Sequence, residues 1–328
     1  MMGDFPKPHV VVSKCLGFAH CRYNGLVISD DFIKKLHPFV NFDPICPEVE
    51  IGLGVPRNPI RVVYTKGKKK LIQSITNKDV TENMNSFAKK FLDSLKEVNG
   101  FILKNRSPSC GIKDVRVYPR IGKVASISKG TGFFGDAVLR EFPYLPIEDE
   151  GRLRNHRIKE HFLTRLFTFS KFRELKKFIS MKKLVQFHAD NKFLLMLYNQ
   201  KLLRLLGNIV ANPESKTVDN VVKEYELNLH YAFSKAPRYT SSNNVLMHAL
   251  GYFKKDLSSK EKNFLLESLK KYVAGRIPLC VSTSLMRSWI IRFGQEYLIN
   301  QTFFEPYPEE LIKCFPLSDA DMERDYWE

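Results

Sequence analysis

Residues 76–111 read TNKDVTENMNSFAKKFLDSLKEVNGFILKNRSPSCG, and they divide into three physically different pieces. In the first, Met84, Phe87, Ala88, Phe91, Leu92 and Leu95 recur at helical period on one face, with Asp79 or Thr81 placed to cap the start and Gly100 to end it. In the second, Phe101-Ile102-Leu103 is a short, wholly apolar run, the mark of a buried strand. The third is a loop that sets Cys110 between a proline turn and Gly111. Helix, buried strand, then a loop carrying a reactive group is the repeating unit of an α/β domain.

The pattern extends in both directions. HVVVSKCLG (9–17) is a strand followed by a loop, and FVNFDPICPEVEIGLGVPR (39–57) is an extended segment punctuated by Pro44, Pro47, Gly52, Gly54 and Pro56. IRVVYTKGKKKLIQS (60–74) predicts a hairpin turning at Lys66-Gly67-Lys68. VRVYP (115–119) predicts a further strand, and GTGFFGDAVLREF (130–142) a helix opened by glycines. Residues 1–142 are therefore expected to form an α/β domain with a largely parallel sheet. PYLPIEDEGRLRN (143–155), with two prolines, an acidic run and a glycine, reads as a linker. Residues 156–328 carry helical periodicity, as in RIKEHFLTRLFTFSKFRELKKF and KEKNFLLESLKKYVAG, and predict an all-α domain.

The chain has 328 residues, enough for two domains, and its 44% hydrophobic content can fill their cores. With 52 Lys and Arg against 35 Asp and Glu, the formal net charge is +17. A field of that sign favours polyanions, of which nucleic acid is the commonest in a cytosol. No segment has the apolar length to span a bilayer, and MMGDFPKPHV lacks the apolar core of a secretory signal, so a cytoplasmic protein with no membrane partner is expected.

Cys15, Cys46 and Cys110 each follow a strand or strand-like run. In an open parallel sheet the carboxyl ends of the strands face one crevice, so these three thiols can converge there. Converging thiolates select zinc, copper(I) or an iron–sulfur cluster, and three ligands rather than four leave an open coordination position for chemistry. The competing reading is three ordinary buried thiols. Cys21 is a fourth thiol in the same half and is read as a non-ligand. Cys280 and Cys314 complete the six, which in a reducing compartment form no disulfide framework.

At these residues the chain resembles a known family. VSKCLGFAHCRYNG, CPEVEIGLGVPR, DVT at 79–81, ILKNRSPSCG and GTGFFG, in that order across residues 8–142, look like the thiouracil desulfidase domain. The resemblance implies a Rossmann-like fold and a [4Fe-4S] cluster held by Cys15, Cys46 and Cys110, with one open iron that takes up the sulfur of a thiolated uracil. Asn24 and Leu26 stand where the family pattern has Asp and a second Gly. HALGYFKKDLSSKEK, GRIPLCVSTSLMRSW and YLINQTFFEPYPEEL resemble a helical partner domain often fused to the first. In this fused form the chain looks like the bacterial tRNA 4-thiouridine desulfidases. That implies conversion of 4-thiouridine to uridine with release of hydrosulfide, and a helical module that docks tRNA.

Glu48 lies two residues after Cys46, so an extended backbone points both side chains the same way and makes Glu48 the candidate general acid/base. Ser107 is the candidate donor to the substrate, with Ser109 as its alternative. Arg22, Lys104 and Arg106 are read either as phosphate contacts or as solvated loop charges. The basic start of the helical domain (Arg154, Arg157, Lys159, Arg173, Lys176, Lys177) and the rings of Tyr231, Tyr239 and Trp289 have bland alternatives, a wet helix face and core packing. GTGFFG lacks the Lys-Ser/Thr of a P-loop, so no nucleotide cofactor is expected. Two other readings stay open: a desulfidase of free thiouracil bases, and a cluster- or zinc-bearing RNA-binding protein without catalysis.

Overall fold

The computed structural model describes residues 5–65, 67–212 and 214–311, and the side chain of Tyr239 also lies outside the described part. The chain divides into two units, residues 5–170 and the residues from Lys171 onward.

The first unit is α/β. Its order is β1 (His9–Ser13), α1 (Asp31–Leu36), β2 (Asn41–Ile45), α2 (Pro47–Glu50), β3 (Ile60–Thr65), β4 (Lys68–Gln73), α3 (Thr81–Ser94), β5 (Gly100–Leu103), β6 (Val115–Tyr118), β7 (Ser128–Gly130), α4 (Phe133–Glu141), β8 (Ile147–Asp149) and α5 (His156–Lys176), the last running into the second unit. One sheet is wholly parallel, in the order β2-β1-β5-β8. Val10, Val11, Val12, Phe101, Ile102 and Leu103 have no exposed surface. Near-continuous apolar runs are what a parallel strand covered on both faces requires. Pro44, which cannot donate to the ladder, sits on edge strand β2 opposite Val12. The other sheet has the order β4-β3-β6-β7, with a parallel β3–β6 pair between two antiparallel pairs.

The helix read over 79–100 is α3, and it buries Met84, Ala88 and Leu92. It stops at Ser94, so Gly100 does not end it. Gly100 is instead the first residue of β5, where a Cβ would come within 2.8 Å of the Pro146 carbonyl. Residues 143–155, read as a linker, contain β8, which pairs with β5 through Phe101–Ile147 and Leu103–Asp149. Pro143 and Pro146 punctuate the chain as expected, but the three residues between Pro146 and Glu150 complete the parallel sheet, and the division between units falls inside α5.

The second unit is helical, with α6 (Met181–Asp190), α7 (Lys192–Tyr198), α8 (Gln200–Ala211), α9 (Val218–Ala232), α10 (Tyr239–Leu250), α11 (Ser259–Val273), α12 (Leu279–Phe293) and α13 (Glu296–Ile299). Phe172, Phe187 and Tyr225 pack ring to ring in its core, and Trp289 is buried against Phe253. Among the described residues no helix is long and apolar enough to cross a membrane. Cys280 lies in α12, and Cys314 lies outside the described residues.

Candidate active site at the carboxyl ends of the parallel sheet

Strands β2, β1 and β5 are neighbours and run the same way, so the loops that follow them leave from one edge. Cys46 directly follows β2, Cys15 lies two residues beyond β1, and Cys110 closes the loop after β5. Four thiols gather there. Burial chiefly, then the fields of Cys110, Cys21 and Cys46, pushes the Cys15 thiol far above its usual range, with Lys104 pulling the other way. Burial, with Cys46 beside it, pushes Cys21 up to about 12. Cys110 is likewise pushed up to about 12 by burial, against a hydrogen bond from Ser13. The Ser13 hydroxyl oxygen accepts the Lys104 amide at 2.8 Å, which leaves its proton for the Cys110 sulfur. Burial thus favours the neutral thiols in the metal-free protein, and a metal bound there would release their protons.

The donor set fits an iron–sulfur cluster. Soft sulfurs come from three separate loops and sense one another electrostatically. Among the described residues, however, no three His, Cys, Asp or Glu side chains crowd closely enough to hold a single metal ion. Cys21 stands beside Cys46, whose thiol donates to the Cys21 carbonyl at 3.7 Å.

Glu48 is buried in the short helix α2 that Cys46 opens. One of its oxygens, Oε2, accepts from Arg57 Nε at 2.7 Å, and the other, Oε1, accepts from Ser109 Oγ at 2.7 Å. Ser109 Oγ also lies 3.8 Å from Cys110 Sγ, but its single proton goes to the shorter, charge-assisted bond. The Ser107–Ser109 contact of 2.9 Å must then run with Ser107 donating. Ser107 Oγ in turn accepts the amides of Cys110 at 3.1 Å and Ser109 at 3.3 Å. The result is a directed hydrogen-bond chain, Ser107 to Ser109 to Glu48, anchored by Arg57. Ser107 is half-buried, so the chain runs from the partly open end of the site to a buried carboxylate.

Arg57 does more than pair with Glu48. Its Nη1 donates to the carbonyls of Cys21 at 2.9 Å and Gly54 at 3.0 Å, and Nη2 comes within 4.0 Å of Cys46 Sγ. Sequence reasoning missed Arg57, Ser13 and the part Ser109 plays. The signal for Arg57 was present as an arginine closing the proline- and glycine-broken segment after Cys46, but nothing local aims it back at Glu48.

The glycines of GTGFFG serve the same loop. The amides of Gly132, Phe133 and Gly135 donate to the carbonyls of Gly111 at 2.7 Å, Pro108 at 3.1 Å and Ser109 at 3.0 Å. A Cβ on Gly132 would lie 2.5 Å from the Ser109 carbonyl, and one on Gly135 2.5 Å from that of Gly111. These glycines are required for backbone approach rather than for a turn, and the start of α4 is occupied in holding the Cys110 loop.

The candidate phosphate contacts separate. Lys104 Nζ bonds Glu150 and Asn105, and the same Glu150 accepts the Asn105 amide at 2.8 Å, so this lysine is an internal tie. Arg106 is exposed, with a left-handed backbone at φ 54°. Arg22 lies over the ring of Tyr23 at 6.0 Å. At the start of the second unit, Arg173 and Lys177 both pair with Glu174, and Lys176 pairs with Glu226. Tyr231 is exposed, whereas Trp289 is core.

Comparison with known proteins bears on both units. A family model described as 2-thiouracil desulfurase matches residues 10–150, and one described as a protein of unknown function, DUF1722, matches residues 192–308. The uncharacterized protein YbbK of Bacillus subtilis (strain 168) is 38% identical over 109 residues, 31% of this chain and 72% of that protein. The uncharacterized protein YbgA of Escherichia coli (strain K12) is 26% identical over 154 residues, 47% of this chain and 82% of that protein. Among solved structures, the [4Fe-4S]-dependent thiouracil desulfidase TudS is similar at 27% identity and a TM-score of 0.37, covering 45% of this chain and 94% of that one.

Proposed function

We propose that this chain, which belongs to the 2-thiouracil desulfurase family, hydrolyses the thiocarbonyl of 4-thiouridine in tRNA, giving uridine and hydrosulfide in the cytoplasm. The observation that carries the reading is the gathering of Cys15, Cys46 and Cys110 at one sheet edge, beside the hydrogen-bond chain that ends on Glu48. The tRNA part is supported by the net charge of +17 and by a second, helical unit joined to the first.

A [4Fe-4S] cluster held by the three cysteines supplies, when bound, a Lewis-acidic iron for the substrate sulfur. The protein's own part is proton management. Attack of water on the ring carbon forms a C–O bond and releases a proton. Ser107 receives that proton while passing its own to Ser109, and Ser109 passes its proton to Glu48. Both Ser107 lone pairs are engaged by amides, so the longer bond, 3.3 Å from the Ser109 amide, yields to the water. Breakage of the C–S bond then restores the ring carbonyl: the departing sulfur takes the proton held on Glu48, returned along the chain, and the hydroxyl proton left on the added oxygen, and leaves as hydrogen sulfide, which ionises to hydrosulfide. The sum is thiocarbonyl plus water to carbonyl plus hydrogen sulfide, with no net oxidation. Arg57 holds Glu48 on the side facing Ser109.

The test is to incubate anaerobically reconstituted protein with 4-thiouridine-bearing tRNA and follow the thiocarbonyl absorbance. Its loss, together with a fall of about 10²–10⁴ in rate for Glu48→Gln at unchanged cluster absorbance, is expected. Persistent absorbance with loaded protein, or full activity of Glu48→Gln, overturns the reading. Equal turnover of free thiouracil would move the substrate from tRNA to the base.

A further inference from the structure

Residues 51–78 and 115–135 contain 11 Lys and Arg and no Asp or Glu. These two segments supply β3, β4, β6 and β7, so a charge asymmetry split across the sequence becomes one sheet. The core face of that sheet carries Ile60, Val62, Leu71, Val115 and Val117. Strand alternation and register put Arg61, Lys68, Lys70, Arg116, Tyr118 and Lys129 on the opposite face, with Arg116 directly across from Lys129 and Val63 across from both Lys70 and Tyr118. Not all of these charges are available. Arg61 bonds the Gly122 carbonyl at 2.9 Å and lies over Tyr118, and Lys70 pairs with Asp79. Lys68 and Arg116, with Arg120 and Lys123 on the loop between β6 and β7, are exposed and have no acidic partner among the described residues. Lys129 holds only a loose, exposed contact of 3.5 Å to Asp114.

We infer that this face of the antiparallel-edged sheet is a docking surface for the phosphate backbone of the RNA substrate, in addition to any contact made by the helical unit. The inference rests on the proposed function and adds to it where the α/β unit itself grips the RNA. Four unpaired cations over a sheet with no acid in its own segments repel one another unless a polyanion neutralises them. The surface is also tied to the site by very short connections. β6 begins five residues after Cys110, at most about 18 Å of extended chain, and β3 begins three residues after Arg57. An RNA whose thiolated base enters the site therefore has its neighbouring phosphates within reach of this sheet. Lysine and arginine along such a face bind without sequence preference, which suits an enzyme whose specificity lies in the base.

The experiment uses the full-length, cluster-loaded protein and compares Lys68→Gln/Arg116→Gln/Arg120→Gln/Lys123→Gln with a charge-matched control, Lys35→Gln/Lys89→Gln/Lys90→Gln/Lys96→Gln. Three quantities are read: affinity for thiolated tRNA across a salt series, turnover of that tRNA, and turnover of free 4-thiouracil. The sheet variant should bind tRNA at least about tenfold more weakly, with a salt slope reduced by about 2–3, while the control and all free-base turnover stay unchanged. Equal losses in sheet variant and control reduce the effect to net charge and overturn the inference. Wild-type affinity in the sheet variant overturns it too, while leaving the tRNA reading intact. If the wild type itself fails to bind tRNA yet turns over free base, the underlying reading fails first. Binding of the wild type to phosphatidylserine vesicles, lost in the sheet variant while its tRNA affinity is unchanged, would reassign the face to a lipid surface.

Discussion

Replacing Arg57 by methionine removes one guanidinium and disturbs four groups. The Arg57 side chain is 3% exposed and that of Glu48 12%, so the pair is shielded from solvent and screening by salt is slight. Without Arg57 the Glu48 carboxylate keeps only Ser109, and the carbonyls of Cys21 and Gly54 lose a donor. Breaking a buried pair from one side costs about 3–5 kcal/mol, because a charge is left uncompensated. The Arg57→Met variant should therefore destabilise the α/β unit by about that amount. The double variant Arg57→Met/Glu48→Gln, which has no charge left to strand, should recover at least about 1 kcal/mol of it. Residues 5–170 contain no tryptophan whose emission reports on this unit. Amide hydrogen exchange at Val10–Val12 and Phe101–Leu103 does, and it is best read on protein without metal, where binding linkage does not mask the change. Strict additivity of the two substitutions, or a loss below about 1 kcal/mol for Arg57→Met, would refute the claim that the pair is a single buried unit.

Alanine at Cys15, Cys46 or Cys110 should each abolish visible cluster absorbance after anaerobic reconstitution, whereas Cys21→Ala should retain it; loss with Cys21→Ala would make Cys21 a ligand. Ser109→Ala should lower desulfuration by about 10²–10⁴ at unchanged cluster content, and a change of less than about threefold would remove the serine chain from the proton path. Gly132→Ala should cost about 1–3 kcal/mol and weaken cluster retention, because its Cβ meets the Ser109 carbonyl at 2.5 Å; unaltered retention would show that α4 does not brace the Cys110 loop. Burial, reinforced by Arg165 and Arg157, pulls His161 down to about 4 from 6.5. The unfolded chain therefore takes up this proton first as the pH falls, so stability present above pH 6.5 is lost down to about pH 4, by about 3 kcal/mol in total. Acid titration of His161→Gln should be flatter by about one proton over that window, and an unchanged slope would place the acid sensitivity elsewhere.

What could be read directly from the chain were the features written in local order. Val10–Val12 and Phe101–Leu103 announce buried parallel strands because such strands are apolar on both faces. Met84, Ala88 and Leu92 announce a helix because burial there recurs with the helical period. The positions of Cys15, Cys46 and Cys110 just past strands were enough to suggest one shared edge, since in a parallel sheet all carboxyl ends lie together. Three residues after Pro146 gave no comparable signal: β8 is too short to show a period, and only pairing with β5 makes it a strand. The Ser107–Ser109–Glu48–Arg57 chain was equally hidden. Its contacts join residues 61 and 9 positions apart, and which serine faces Glu48 depends on how α4 clamps the Cys110 loop. Composition, periodicity and the places of the cysteines thus determined which elements form and which edge gathers the thiols. Tertiary packing alone decided the direction of each hydrogen bond in the site, because a proton has one donor and can satisfy one strong acceptor, and the acceptors meet only when the loops are folded.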